Sequence, residues 1–381
     1  MELKSTRYLI VGAGFFGSVI AERISNDLKE LVVVIDKRDH IGGNCYSEKH
    51  PETGIIYHKY GTHIFHTPNK KVWNYINRFT EFNSYRHQVL NTYKNKVYQM
   101  PINLETINSF YNLNLKPYEV DAFLSQEIRK ENITVPRNFE EKAVSLIGRP
   151  LYEAFIRGYT KKQWQKDPRE LPAAILSRLP FRKNYDESYY FSQWQGIPLN
   201  GFTEIFEKML FHKNISLYLN TDYFDIRDQV SSNTLVIFSG PIDRFFDYKF
   251  GKLEWRSLEF SEKVIPVEDY QGTSVMNYGE ESVPYTRIHE PRHLHPERDY
   301  PNDKTLIIEE YPRTDDGNHP YYPINDEKNH ALILKYREEA AKKENVIISG
   351  RLGNYKYYDM TDTIEIALEI FENIKAGHHA G

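Results

Sequence analysis

A single cysteine, Cys45, among 381 residues leaves no partner for an intrachain disulfide, no CxxC redox pair and no thiolate-rich zinc site. That scarcity of thiols fits a reducing compartment, and the cytoplasm is the expectation. Long apolar runs are missing as well. No stretch approaches the roughly 20 residues that a membrane span requires, and glycines interrupt the N-terminal YLIVGAGFFG where an export signal needs a continuous apolar core. Positive charge is neither in excess nor clustered: the net charge is −4 and the Lys and Arg residues are scattered, so the footprint of a nucleic-acid-binding protein is absent. There is no internal repeat and no low-complexity linker, so domain limits must be found in changes of pattern. The two sequons, Asn132-Ile-Thr134 and Asn214-Ile-Ser216, then count as chance matches.

What is present is 40% apolar residues, enough for a large core shared by two or three domains, and a 14% aromatic share that includes 29 tyrosines. Tyrosine joins a flat apolar face to a polar tip, which suits domain interfaces and pockets for sugars and planar bases. Along the chain, RYLIVGAG, FFGSVIAERISN and LVVVID read as strand, helix and strand, a βαβ unit with short connections. From about residue 68 the pattern turns helical. Asn138 with Glu141 reads as a capping box, Gly148 as a stop, and Pro150 opens a further helix with Leu151, Ala154 and Phe155 on one face. Strand-like runs follow in ISLYLNTDYF, TLVIFSG, YTRIHE and TLIIEEYP. Near the end, NVIISGRLGNYKYYDM gives a buried strand ending at glycines, before a helix capped near Thr361 or Asp362. Strand, glycine and helix thus recur at both ends, which predicts one discontinuous nucleotide-binding domain with other elements inserted between its parts.

Gly12-Ala13-Gly14-Phe15-Phe16-Gly17 is a GxGxxG fingerprint in its proper context, since a buried strand precedes it, a helix follows and Asp36 closes the next strand. The first glycine makes the turn, the second lets backbone approach a pyrophosphate at the helix N-terminus, and the acid binds a ribose hydroxyl pair. NAD and FAD share this fingerprint. The next segment, Lys37-Arg38-Asp39-His40-Ile41-Gly42-Gly43-Asn44, adds a basic pair and a double glycine that lets the main chain pass close to a large flat ligand, as in two-part FAD proteins. No second GxGxxG occurs, so a built-in nicotinamide domain is not expected. In YGTHIFHT, His63 and His66 stand three apart, and their types allow a metal pair, a pocket wall or two core histidines. No carboxylate pair or Ser-His-Asp set stands out.

The fingerprint, RDHIGGN, HKYGTHIFHT, GYTKKQW, YQGT with VPYTRI, PYYPIND and GRLGNYKYYDM occur in an order and spacing that resemble the bacterial UDP-galactopyranose mutases, from about Tyr8 to about Asn373. The resemblance implies an α/β fold: a discontinuous Rossmann-like FAD-binding domain (1–80, 196–243 and 326–381), an inserted helical domain with a substrate lid (99–180) and an inserted antiparallel sheet domain (81–98, 181–195 and 244–325). FRKNYDESYY, around Arg182, is expected to be a mobile loop. The implied enzyme is an isomerase with reduced FAD, usually a homodimer, that interconverts UDP-galactopyranose and UDP-galactofuranose for cell-wall or surface glycan synthesis. It needs an external reductant, with NADPH as the candidate.

On that resemblance, the cofactor residues are Gly12, Gly14, Phe16, Gly17, Asp36, Lys37, Gly43, Asn44, His63, Arg351, Asp359 and Met360, and the catalytic residues are Arg182, Arg287 and His66. The two arginines match diphosphate-binding positions, where a guanidinium offers bidentate, always-ionised donors. His87, Tyr159, Trp164, Trp194, Tyr321, Tyr357 and Asp359 match positions that line the substrate cleft. Trp194 and His87 depart from the tyrosine and asparagine of some members. Metal binding drops out for the histidines, which the family places at the flavin, and no metal is expected. The implied chemistry is attack of reduced flavin N5 on the anomeric carbon, departure of UDP against Arg182 and Arg287, and ring opening and reclosure of the flavin-bound sugar. An amine-oxidase-like flavin oxidoreductase is the rival reading.

Overall fold

In the strands Tyr8–Val11 and Val32–Ile35, successive side chains point to opposite faces, and both faces are apolar. Tyr8, Ile10, Val32 and Val34 join a core cluster with Val19 and Ile20 of the helix Phe15–Arg23 and with Ile364, Ala367 and Phe371 of the helix Met360–Ala380. Leu9, Val33 and Ile35 join Tyr223, Val236 and Phe238 in a cluster on the other side. Burial of both faces is the condition a parallel sheet needs. Five strands form it in the order Val346–Ile348, Leu235–Phe238, Tyr8–Val11, Val32–Ile35 and Ile215–Tyr218, all parallel. The molecule is known as a computed structural model that describes residues 6–176, 181–317 and 319–380, the last three by backbone alone. Residues 177–180, where the helical piece was expected to give way to the second piece of the sheet domain, lie outside the described residues.

The parallel sheet therefore brings its C-terminal strand ends, with Gly12, Asp36 and Ser239, to one edge. Open α/β sheets bind ligands there. Ser239 N donates to Val11 O at 3.0 Å and Gly12 N to Ile35 O at 2.8 Å, so neighbouring strand ends are tied to one another.

A second sheet has seven strands, in the order Tyr322–Pro323, Trp255–Ile265, Thr305–Thr314, Arg287–His289, Val275–Tyr278, Val89–Tyr93 and Lys96–Met100. The expectation of a purely antiparallel sheet needs one correction, because Val275–Tyr278 pairs with Val89–Tyr93 in parallel. The cause is connectivity: the chain enters as the hairpin Val89–Met100, leaves to form the helices, and returns alongside its own first strand. Between these visits, the helices Leu104–Tyr111, Val120–Arg129 and Phe139–Ile147 and a helical run from Arg149 to Trp164 pack around Ile107, Leu124, Val144, Tyr152 and Phe155. The Asn138 side chain does cap Glu141 N, at 2.9 Å, but the capping box is incomplete. The Glu141 carboxylate accepts instead from Arg137 N, one residue before the cap. The reciprocal arrangement occurs at Asn103 and Thr106, where it was not foreseen.

Candidate functional site

A cavity of about 480 Å³ lies where the two sheets meet, and the glycine fingerprint forms one end of it. Gly12 sits at φ +109°, and a Cβ there would come within 2.1 Å of Ser239 Oγ. The loop carrying Gly43 approaches so closely that a Cβ on Gly14 would touch Gly43 Cα at 3.8 Å, and Gly42 N donates to Ala13 O at 2.8 Å. Gly17 does different work. It does not line the cavity; its Cβ would stand 2.0 Å from Gly12 O, so it permits helix and strand to pack rather than touching a ligand.

Asp36 is buried, and its two oxygens accept from Ala13 N at 2.8 Å and Arg38 N at 2.9 Å, which locks the acid to the fingerprint turn. Beside it, Arg38 donates to Asn44 Oδ1 at 2.8 Å and lies over the Tyr60 ring at 4.5 Å, while its Nη1 is buried without a partner. An unsatisfied buried guanidinium nitrogen beside glycine backbone fits an anionic group such as the diphosphate of a dinucleotide. Sequence reasoning saw the basic pair but nominated Lys37 alone. Lys37 also lines the cavity, its pKa lowered by burial and by Arg244 and Arg38. Phe16, Asn44, Arg351 and Met360 line it too. Met360 begins the long C-terminal helix, and Asp362, inside its first turn, accepts from Asp359 N at 3.0 Å. Cys45 is held protonated by burial, its thiol pushed up to about 12.

The other end is assembled from side chains. In the strand Phe65–Thr67, Phe65 and Thr67 are fully buried, so alternation turns His66 toward the cavity. Its Nδ1 lies 3.1 Å from Ser192 Oγ, its Nε2 lies 3.7 Å from Asp359 Oδ2, and its ring stacks on Tyr190 at 3.7 Å. His63 places Nδ1 2.6 Å from Gly61 O, and its backbone N–H donates to His58 Nδ1 at 2.9 Å. Burial pushes His63 down to about 4 and His87 to about 3, so both are neutral at pH 7. His87 Nδ1 lies 3.1 Å from Tyr85 OH, and the Tyr190 ring stands between His66 and His87.

Arg287 begins the strand Arg287–His289 and is in register with Glu310. Its Nη1 lies 3.3 Å from both oxygens of Glu310, and its Nη2 donates to Tyr159 OH. Glu310 is buried and also accepts from Thr286 Oγ1 at 3.1 Å and His289 Nε2 at 3.0 Å. Burial alone would raise its pKa, but Arg287 and then His289 outweigh burial and hold it at about 2. Sequence reasoning missed Glu310 and His289. The only signal was the pair Glu309-Glu310 within TLIIEEYP, and alternation cannot say which of two neighbours faces inward; Glu309 turns to Lys263 at 2.7 Å. Tyr322, Tyr189 and Tyr190, also missed, line the cavity with the expected Tyr321, Tyr357 and Asp359.

Four expected substrate residues do not line the cavity: Tyr159 reaches it only through Arg287, and three stand elsewhere. Arg182 is buried, donates to Asp186 O at 2.8 Å and lies 4.4 Å over Phe191; it does not line the cavity, and its Nε and Nη2 are buried without partners. Trp164 packs against the helical core, and Trp194 stands parallel to Trp73 at 6.4 Å, both away from the cavity wall.

Residues 154–357 match the family described as UDP-galactopyranose mutase, and residues 10–79 match the NAD(P)-binding Rossmann-like domain. The probable UDP-galactopyranose mutase of Klebsiella pneumoniae is 42% identical, across 96% of this chain and 94% of that protein. The dTDP-fucopyranose mutase of Escherichia coli is 39% identical, across 95% and 97%. Among solved structures, a reduced UDP-galactopyranose mutase shares the fold at a TM-score of 0.77 with 14% identity, covering 98% of this chain and 96% of that one. With more than half the chain matched by the family and relatives this similar along almost its whole length, the protein belongs to the UDP-galactopyranose mutase family.

Proposed function

We propose that the protein interconverts UDP-galactopyranose and UDP-galactofuranose with a bound FAD that works in its reduced form and undergoes no net redox change. One observation carries the reading: a single cavity is lined both by the glycine fingerprint with Asp36 and by Arg287, His66 and His87. A cofactor held at one end thus shares an enclosure with a cation suited to a sugar diphosphate.

When bound, the reduced flavin supplies a nucleophilic nitrogen for the anomeric carbon of the sugar. The chain's own residues do the rest. Gly14 and Gly43 admit the cofactor's diphosphate next to main chain, Arg38 Nη1 donates to it, and Asp36 takes a ribose hydroxyl. Arg287 binds the substrate diphosphate and stabilises the charge that develops as UDP departs, while Glu310 and Tyr159 fix its fork in place. His66, set between Ser192 and Asp359, holds or releases a hydrogen bond beside the cofactor. His87, neutral by burial, serves a sugar hydroxyl as donor or acceptor. Arg182 is the second diphosphate cation, with two unpaired nitrogens, Nε and Nη2, available once its loop shifts. Trp164 and Trp194 come to the substrate only through such a shift. We further infer a cytoplasmic homodimer that takes electrons from an external donor such as NADPH and supplies furanose for a wall or surface glycan. The single, half-buried cysteine supports the reducing compartment.

The test supplies purified, flavin-loaded protein with UDP-galactofuranose, with and without dithionite. Conversion to the pyranose only after reduction is the expected result. Oxygen-consuming turnover of an amine would replace this reading with the oxidase, and no conversion of any sugar nucleotide would remove it. Conversion of dTDP-fucofuranose in preference to the UDP-sugar would keep the reaction and change the substrate.

A further inference from the structure

The segment GYTKKQW forms the helix Gly158–Trp164; Gly158, Lys161 and Lys162 reach the loop between the strands Val275–Tyr278 and Arg287–His289, and Tyr159 reaches the first residue of the second strand. A Cβ on Gly158 would stand 2.1 Å from Gly279 O, so the helix touches the loop backbone with nothing between them. Tyr159 receives a hydrogen bond from Arg287. One turn further, Lys162 sends its ammonium into the loop, 2.6 Å from Tyr278 O, 3.0 Å from Glu280 O, 2.9 Å from Val283 O and 2.8 Å from Tyr285 O.

An ammonium has three N–H donors, so four carbonyls converging on it share them, and their dipoles all point at one charge. A loop whose carbonyls turn inward needs such a cation, because without it the four oxygens repel one another and lose their donor. The last of the four precedes Arg287 by two residues, and Thr286, between them, is tied to Glu310 through its backbone and its hydroxyl. Neighbouring charges on the helix are otherwise engaged: Lys161 pairs with Glu281 at 2.6 Å, and Arg157 lies 3.9 Å from the same carboxylate.

We propose that Lys162 is a positioning residue whose ammonium organises the 278–285 loop and thereby sets Arg287 at the substrate end of the cavity. The proposal rests on the reading of Arg287 as a diphosphate ligand. It gives the motif a physical reason: the glycine allows approach, the tyrosine touches the arginine, and the lysine fixes the loop that delivers it.

The test compares Lys162→Met, which keeps the apolar stem, in the wild-type and Arg287→Ala backgrounds of the flavin-loaded protein. Amide hydrogen exchange across 279–286 should quicken about 10-fold while the helix Phe139–Ile147 is unchanged. Turnover of UDP-galactofuranose under dithionite should fall roughly 10-fold in the wild-type background and less than about 2-fold in Arg287→Ala, since residues acting through one another are not additive. Unchanged exchange, or equal losses in both backgrounds, would overturn the proposal. Lys162→Gln, which retains two donors without the charge, is the milder variant should the methionine protein fail to fold, and it should show the same pattern at smaller size. Wild-type protein that leaves UDP-galactofuranose untouched would overturn the functional reading alone, and exchange across 279–286 then judges Lys162 by itself.

Discussion

The two ends of the cavity are built by different means. At the cofactor end the walls are main chain: Gly12 at positive φ, Gly14 against Gly43, and strand ends locked by hydrogen bonds between backbone groups and Asp36. At the sugar end they are side chains brought from separate places, with His66 from a short strand beside the first domain, Arg287 and Glu310 from adjacent strands of the second sheet, and Tyr190 from a loop, while Tyr159 of the helical insertion braces Arg287. A backbone-built end tolerates little change in shape, whereas a side-chain-built end loses chemistry without losing the fold. Substitutions at each end should therefore fail in different ways.

The largest effect belongs to Gly17→Ala. A Cβ 2.0 Å from the Gly12 carbonyl cannot be accommodated without moving helix from strand, so the purified variant should hold less than about a tenth of the wild-type flavin, if it folds at all. Flavin absorbance per protein reads this directly, and full occupancy would mean that the fingerprint is looser than its contacts require. His66→Ala should do the opposite, keeping flavin and melting temperature while turnover under dithionite drops on the order of 100-fold. Near-normal turnover would remove His66 from the chemistry and leave it as a ring stacked on Tyr190.

The smallest effect is a pH dependence to which two histidines of the site, His63 and His87, contribute alongside His58, His40 and His295, which burial also holds low. His63 and His87 have folded pKa values of about 4 and about 3, below the ordinary 6.5, so the unfolded chain binds more protons as pH falls through that window. Stability should hold above pH 6.5 and decline from there toward pH 4, by roughly 1.4 kcal/mol per pH unit for each histidine. His87→Asn should flatten the thermal-melting curve over pH 6.5 to 4 by about one histidine's share. An unchanged slope would place the acid sensitivity elsewhere.

The same contrast explains how much was legible in the sequence. Gly12, Gly14, Asp36 and the strand-helix-strand pattern specify backbone geometry, and backbone geometry is local, so the N-terminal βαβ unit and the cofactor end could be read from residues alone, whereas the residues of Ile215–Tyr218 and Leu235–Phe238 did not reveal that they complete the same parallel sheet. Arg287 and His66 were reached only through resemblance to a family. Glu310 was not reached at all, because its role arises from cross-strand register with Arg287, which no local pattern encodes. Topology hid the parallel pairing of Val275–Tyr278 with Val89–Tyr93 in the same way, since a distant return of the chain sets it. Arg182, expected at the diphosphate, lies instead over Phe191 with two nitrogens unsatisfied, a loop conformation that composition cannot predict.

The central claim, that one enclosure joins a bound flavin to a sugar diphosphate held by Arg287, is tested most directly by Arg287→Ala with UDP-galactofuranose under dithionite, reading flavin absorbance and conversion in the same sample. Removing one preorganised donor from a site where charge develops commonly costs a factor of roughly 100 to 1000, and Arg287→Lys, which keeps the charge but not the planar fork, should recover only part of that loss. The account predicts such a fall at an unchanged flavin spectrum. Loss of flavin from the alanine variant, or turnover within a few-fold of wild type, would contradict it.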